Sequence, residues 1–319
     1  MTATNQSAGA MPIDPGMLSF YKSLTAKTPP GAETWPLDKQ RAAWNALCQE
    51  FRAPRPADIV AEDIICNGVP VRLFRPKQGN VFVPVIYGHG GGWVLGGPET
   101  HDDMCAEMAS GAKVAVLLMD YRLAPENPFP APLEDSLKVW RWVHEQGARY
   151  KLEASRIIAA GDSAGGQMSV ALALALRELH LAQLIGMVLI YPGLGGNMNT
   201  PSYIRNANAP CLTRDEMRFY LEAGLGPQGS PSWHNEKALP NLVQDVSGLP
   251  PAFITVAEHD PLCDDGVIFH EKLKAGGIPS TLRREPELAH SYMRARHHSK
   301  PAMEGFKAIV EALRAMAHS

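Results

Sequence analysis

Ser163 stands at the apex of Gly161-Asp162-Ser163-Ala164-Gly165, after the apolar run Ile157 to Ala160 and ahead of the longer one from Met168 to Leu176. This layout reads as strand, sharp turn and helix, with glycines where strand and helix approach so closely that a Cβ would clash. A serine presented in this way is a candidate nucleophile for acyl transfer. Its hydroxyl is weak at neutral pH, so the chemistry also needs a base, a carboxylate to orient that base, and donors for an oxyanion. The motif alone is short and non-specific; the company it keeps decides its meaning.

Candidates for all three partners lie at the ends of apolar runs. His89-Gly90-Gly91-Gly92-Trp93 follows a run ending at Tyr87, and consecutive glycines let backbone N–H groups turn toward one point, as an oxyanion site requires. Asp260 comes just after Phe253 to Ala257, where a carboxylate can accept the Nδ1–H of an imidazole and fix its tautomer. Asp264 and Asp265 are rivals, although they fall in the first turn of the next helical stretch, where the macrodipole favours acids. Of eleven histidines, His290 follows the short run Thr281 to Arg284 through an expected loop, Glu285 to Ala289. His297 and His298 belong to an exposed segment. His101 with Asp102 and Asp103 suggests a metal, but no matching ligand cluster appears elsewhere, and no metal or other cofactor is expected.

Positioning such residues requires strands that end on one edge. Helices are expected over Pro15 to Ala26 and Pro36 to Phe51, then strands Ile59 to Ile65 and Val69 to Phe74 around the Asn67-Gly68 turn. From Val81 onward, strands and helices alternate to Met316, which calls for a mostly parallel sheet covered on both faces. Ligands of such sheets bind beyond the carboxyl ends of the strands. The rhythm breaks between Pro192 and Pro250, with one helix expected from Thr213 to Glu222. That insertion leaves the carboxyl end of a strand and reads as part of a cap. The expected organisation is residues 1–52 as N-terminal cap helices, 53–192 and 251–319 as one α/β core, and 193–250 as the cap insertion.

Composition narrows the class. The 319 residues carry 45% hydrophobic and 20% charged side chains, ordinary for a globular protein with a substantial core. A formal net charge of -3, with no clustered Lys and Arg, excludes a nucleic-acid surface. No segment is long and apolar enough to span a bilayer, and Met1 to Pro15 lacks the basic and apolar regions of a signal peptide. Five widely spaced cysteines without a C-x-x-C pair fit free thiols, so a cytoplasmic location is expected.

The order Ser163, Asp260, His290 is that of the α/β-hydrolase fold. On the residues His89 to Gly92, Gly161 to Gly165, Asp120 to Glu126 with Phe129-Pro130-Ala131, and Asp260-Pro261-Leu262 with Asp264, the sequence resembles the hormone-sensitive-lipase-like branch of that fold. The resemblance runs from about residue 85 to 292, most of the core. It implies Ser163 as nucleophile, His290 as general base and then acid, Asp260 as its orienter, and the N–H groups of Gly91, Gly92 and Ala164 as the oxyanion hole. His89 and the Tyr121 to Glu126 turn read as scaffold. Where the family has His-Gly-Phe, this chain has His290-Ser291-Tyr292, a change beside the base.

The expected activity is hydrolysis of short- to medium-chain carboxylic esters, with a small-molecule ester as partner and a homodimer as the assembly common among relatives. Trp93, Phe20, Tyr21, Trp35, Phe219 and Tyr220 are the apolar candidates for the pocket wall. An amidase or lactonase would use the same residues, since only the leaving group differs. From another class, plant gibberellin receptors resemble this family without its histidine; His290 argues against a binding module here.

Overall fold

The computed structural model describes residues 12–29 and 31–319, so part of the expected N-terminal segment 1–52 lies outside the described residues. Strands β1 (Ile59–Cys66), β2 (Val69–Pro76), β3 (Pro84–Gly88), β4 (Ala115–Met119), β5 (Ile158–Asp162), β6 (Gly186–Ile190), β7 (Ala252–His259) and β8 (Ser280–Ala289) form one sheet in the order β1-β2-β4-β3-β5-β6-β7-β8. β2 is antiparallel to both neighbours, and the remaining pairs are parallel. The Asn67-Gly68 turn closes the β1–β2 hairpin with φ of 49° and 89°, the doubly left-handed backbone that favours Asn-Gly.

Alternation along the strands divides the interior in two. Ile86, Leu117, Ala159, Met187 and Leu189 enter one core, while Val85, Val116, Leu118, Ile158, Val188 and Ile190 enter the other. The first core is covered by α4 (Ala131–Gln146), α5 (Ala164–Glu178) and α8 (Cys263–Ala275). Residues of α1 (Pro15–Lys27), α3 (Pro98–Ala112) and α9 (Lys300–His318) fill the second. This is an α/β-hydrolase fold, and each strand of the central four is buried along its length, as apolar runs covered on both faces must be.

One expected loop is not a loop. Glu285 to Ala289 continues β8, with a shift in its register against β7 between Ala257 and His259. Pro286 is tolerated because β8 lies at the sheet edge, where a missing N–H need not break a ladder. The strand therefore delivers His290 directly. α2 (Leu37–Glu50) is held to the core through Arg41, whose Nε donates to the Val94 carbonyl at 2.9 Å and whose guanidinium pairs with Glu126 at 2.8 Å.

Between β6 and β7 lie α6 (Pro201–Arg205) and α7 (Arg214–Leu225). Thr213 caps α7 reciprocally with Glu216, each side chain taking the other's backbone N–H. The insertion is tied to the start of α8: Asp265 accepts from the N–H groups of Leu194 and Gly195 at 2.9 and 2.8 Å, and Asp264 from that of Ser202 at 2.8 Å. Those two acids thus hold the insertion and touch neither Ser163 nor His290. Burial pushes the Asp265 carboxyl up to about 7, against the opposing pull of the two N–H bonds.

Candidate active site

The elbow is built from backbone. Ser163 sits at φ 54° and ψ -116°, a strained conformation held in place by its surroundings. Its N–H donates to the Ile190 carbonyl at 2.9 Å, and its own carbonyl accepts from Gly166 and Gly193 at 3.0 and 3.3 Å. α5 then crosses β3 and β5 so closely that a Cβ on Gly165 would lie 1.8 Å from the Gly88 oxygen, and one on Gly161 2.4 Å from the Gly165 carbonyl carbon. The glycines of the motif are therefore steric requirements.

Three side chains meet at the strand ends. His290 Nε2 lies 3.0 Å from Ser163 Oγ, and His290 Nδ1 lies 2.7 Å from Asp260 Oδ2. Asp260 is fully buried, and its other oxygen accepts from the Leu262 N–H at 2.8 Å. A carboxylate in this position can hold a proton on Nδ1, an arrangement that would leave the Nε2 lone pair facing the serine hydroxyl. Tyr191 packs edge-on against the imidazole at 4.9 Å, and Asn206 Nδ2 donates to the Asp260 carbonyl at 2.9 Å. Ser291 adopts φ 61° beside the base, a left-handed backbone that explains why glycine suits this position elsewhere.

Across the serine, Gly91 and Gly92 have φ of 123° and 60°. Ala164 opens α5, so its N–H has no helical acceptor and the positive end of the helix dipole lies beside Ser163. Among the described residues, no protein acceptor takes the N–H of Gly91, Gly92 or Ala164. All three residues line one cavity with Ser163 and His290.

Asp162 was not singled out from the sequence, although a carboxylate at a buried strand end next to the serine is a visible signal. It accepts from Tyr87 Oη at 2.9 Å and from the Gly90 N–H at 3.0 Å, so it anchors the glycine loop. Burial alone would raise its carboxyl; His101, the charge of Arg294 and the Tyr87 phenol outweigh that and hold it well below the usual carboxylate range. Burial, with His101 close by, pushes His89 down to about 3, so its imidazole stays neutral. His89 accordingly stacks on Tyr121 at 4.2 Å, and Tyr121 Oη donates to the His89 carbonyl at 2.8 Å. His101, Asp102 and Asp103 diverge: His101 faces Asp162, Asp102 takes Arg55 and Arg72, and Asp103 takes Arg296. Among the described residues there is no group of acids, cysteines and histidines able to hold a metal.

The expected pocket wall is met in part. Trp93 and Tyr220 line the reaction cavity, and Tyr21 lines an adjoining outer cavity that shares Trp44, Leu95, Cys211 and Tyr220 with it. Phe20 does not reach either cavity; it is fully buried in the second core, edge-on to Phe51 at 5.0 Å. Trp35 lies beneath Lys39, whose Nζ sits 3.6 Å from the ring centroid, and Phe219 stands behind Tyr220 at 5.4 Å. Phe20 and Phe219 lie on helix faces turned away from the cavity, and Trp35 lies in the turn ahead of α2. Trp44, Leu95, Leu212, Met217 and Leu262 take their places; Leu262 belongs to the Asp260-Pro261-Leu262 motif, and the other four carry none.

A sheet of this order, with a serine elbow after β5 and an acid and a histidine after β7 and β8, defines an α/β-hydrolase. Residues 85–294 match the family described as alpha/beta hydrolase fold. The chain is 43% identical over 230 residues to carboxylesterase NlhH of Mycobacterium tuberculosis, covering 70% of this chain and 71% of that one. It is 34% identical over 252 residues to an ethyl acetate hydrolase of Pseudomonas putida, covering 77% and 78%. Among solved structures, an esterase from the bacterial hormone-sensitive lipase family superposes with a TM-score of 0.86 at 28% identity, over 96% of this chain and all of that one. The chain belongs to the alpha/beta hydrolase fold family, in its hormone-sensitive-lipase-like branch of carboxylic ester hydrolases.

Proposed function

We propose that this chain is a serine carboxylesterase that hydrolyses short- to medium-chain esters through an acyl-enzyme at Ser163. The observation that carries this reading is the continuous relay Ser163–His290–Asp260 at 3.0 and 2.7 Å, opening into a cavity beside three unengaged N–H groups. Ser163 Oγ attacks the ester carbonyl as His290 Nε2 takes its proton, and Asp260 stabilises the imidazolium. Gly91, Gly92 and Ala164 donate to the oxyanion; one such donor typically lowers the barrier by about 3 kcal/mol. His290 then protonates the leaving alcohol, and water repeats the cycle to release the acid.

Kinship to an ethyl acetate hydrolase supports a small acyl group. In this reading residues 1–52 and 193–250 form the cap over the core segments 53–192 and 251–319, since Trp44 and Tyr220 reach the reaction cavity from them. Free thiols at all five cysteines support a cytoplasmic location, and among the described residues no helix is long and apolar enough to cross a membrane. The partner is a small-molecule ester, not a nucleic acid; sedimentation equilibrium reads whether the assembly is a homodimer. The decisive experiment is Ser163→Ala. Hydrolysis of p-nitrophenyl butyrate should vanish with the circular dichroism unchanged, and an organophosphate should label the parent chain at Ser163 but not the variant. Residual turnover near the parent rate would exclude Ser163 as nucleophile.

A further inference from the structure

Behind the reaction cavity lies a second, narrow apolar one, and Trp93 lines both. The second chamber is walled by Ala124, Phe129, Leu133, Met168, Ala171 and Leu225, a surface suited to hydrocarbon. Of its two polar side chains, Asn127 and Gln167, the second is already committed. Gln167, on the first turn of α5, accepts from Trp93 Nε1 at 3.0 Å through Oε1 and donates through Nε2 to the Lys237 carbonyl. The indole is held from other sides too. The Trp93 carbonyl accepts from the Ala124 N–H at 2.9 Å, and α7 passes close enough that a Cβ on Gly224 would lie 3.3 Å from the ring.

We propose that Trp93 is a latched partition that sets the length of acyl chain the reaction cavity admits: its indole fills the space between that cavity and the narrow apolar one behind it, and a longer chain would need that space. This rests on the esterase reading above. The direction follows from the relay: the leaving oxygen must come within reach of His290 Nε2, so the alcohol occupies the histidine side and the acyl chain points away from it. No residue lining the second chamber comes from β7, β8 or the loops bearing Asp260 and His290. The chamber is on the acyl side, and the Gln167 bond keeps it shut.

The test compares kcat/KM for p-nitrophenyl esters from acetate to laurate in the parent chain, Trp93→Gly and Gln167→Leu. Trp93 has φ 63°, so glycine fits its backbone while the indole is removed. Gln167→Leu keeps the indole and removes its latch. Each methylene taken from water is worth roughly fourfold, so the octanoate-to-acetate ratio should rise by at least about tenfold in Trp93→Gly. A smaller rise in the same direction is expected for Gln167→Leu. Acetates of alcohols of increasing length should keep their parent ratios. An unchanged acyl ratio in folded variants that still hydrolyse acetate, or a shift in the alcohol series instead, overturns the partition. Should Trp93→Gly not fold, Gln167→Leu decides by the same ratio. Absence of acetate hydrolysis and of organophosphate labelling in the parent chain would overturn the esterase reading itself, a distinct result.

Discussion

The Asp162 carboxylate bonds to the side chain of neither Ser163 nor His290, yet its removal should be felt in turnover. Its Oδ1 receives the Gly90 N–H at 3.0 Å and the Tyr87 hydroxyl at 2.9 Å, both deep in the structure. Asp162→Ala leaves both donors buried without an acceptor. Each such orphan costs about 1–3 kcal/mol, so the loss of stability should be about 2–6 kcal/mol, a large share of the roughly 5–15 kcal/mol a domain has. The catalytic loss has a separate origin. Gly90 is the residue before the proposed oxyanion donors, and without its anchor Gly91 and Gly92 no longer hold their N–H groups on the point where charge develops. Loss of one aimed donor lowers kcat by about 10²- to 10³-fold, while KM changes little because the donors address the transition state. Asp162→Asn retains Oδ1 as acceptor for both donors and should keep kcat within about tenfold of the parent. Steady-state kinetics on p-nitrophenyl butyrate and urea unfolding read the two effects apart. A folded Asp162→Ala with kcat within about threefold of the parent would refute the anchoring argument. An Asn variant as impaired as Ala would show that charge, not the hydrogen bonds, is what the loop needs.

Asp260→Asn should lower kcat/KM by about 10⁴-fold with little change in Tm, because an amide facing Nδ1 favours the wrong imidazole tautomer. Gly165→Ala places a Cβ 1.8 Å from the Gly88 oxygen, backbone that cannot yield like a side chain; thermal unfolding should fall by an amount equivalent to at least about 3 kcal/mol. Asp265 has an ordinary carboxyl value of 3.8 raised to about 7 by burial. The folded state therefore binds that proton more tightly than the unfolded chain, so this contribution is full below about pH 4 and lost as pH rises through about 7. Asp265→Asn has no such loss, and its stability relative to the parent should improve by up to about 2–3 kcal/mol between pH 5 and 8, read by urea unfolding at each pH. A pH-independent difference would remove Asp265 from the account.

The central sheet and its flanking helices were legible because burial on both faces writes itself as apolar runs, and the elbow because close backbone crossing admits only glycine at Gly161 and Gly165. The meeting of Ser163, Asp260 and His290 follows from strand order, since parallel strands in one sheet must end on one edge. The extension of β8 through Pro286 was not legible, because a proline reads as a break until the strand is known to be an edge. The pocket walls were legible only in part, at Trp93 and Tyr220. Phe20, Trp35 and Phe219 have the same chemical character as Trp44 and Tyr220, and only the docking angles of α1, α2 and α7 decide which of them faces the cavity. Those angles come from contacts such as Arg41 with Glu126 and Asp265 with Leu194, between residues far apart in sequence.

Backbone and side chains divide the labour in this site. The strained φ of Ser163, the unengaged N–H groups of Gly91, Gly92 and Ala164, and the helix dipole behind them are set by chain path, which the sheet and the α5 crossing over-determine. The walls that meet a substrate are side chains from segments docked at the rim, held by individual hydrogen bonds that a single substitution can remove. Changes of substrate range should therefore arise from positions such as Trp93, Gln167 and Tyr220 while the relay and the proposed oxyanion donors stay in register. The same physics assigns the opposite behaviour to Asp162, a side chain that braces the backbone itself. Substitution there should depress turnover of every ester alike, by one common factor whatever the acyl chain.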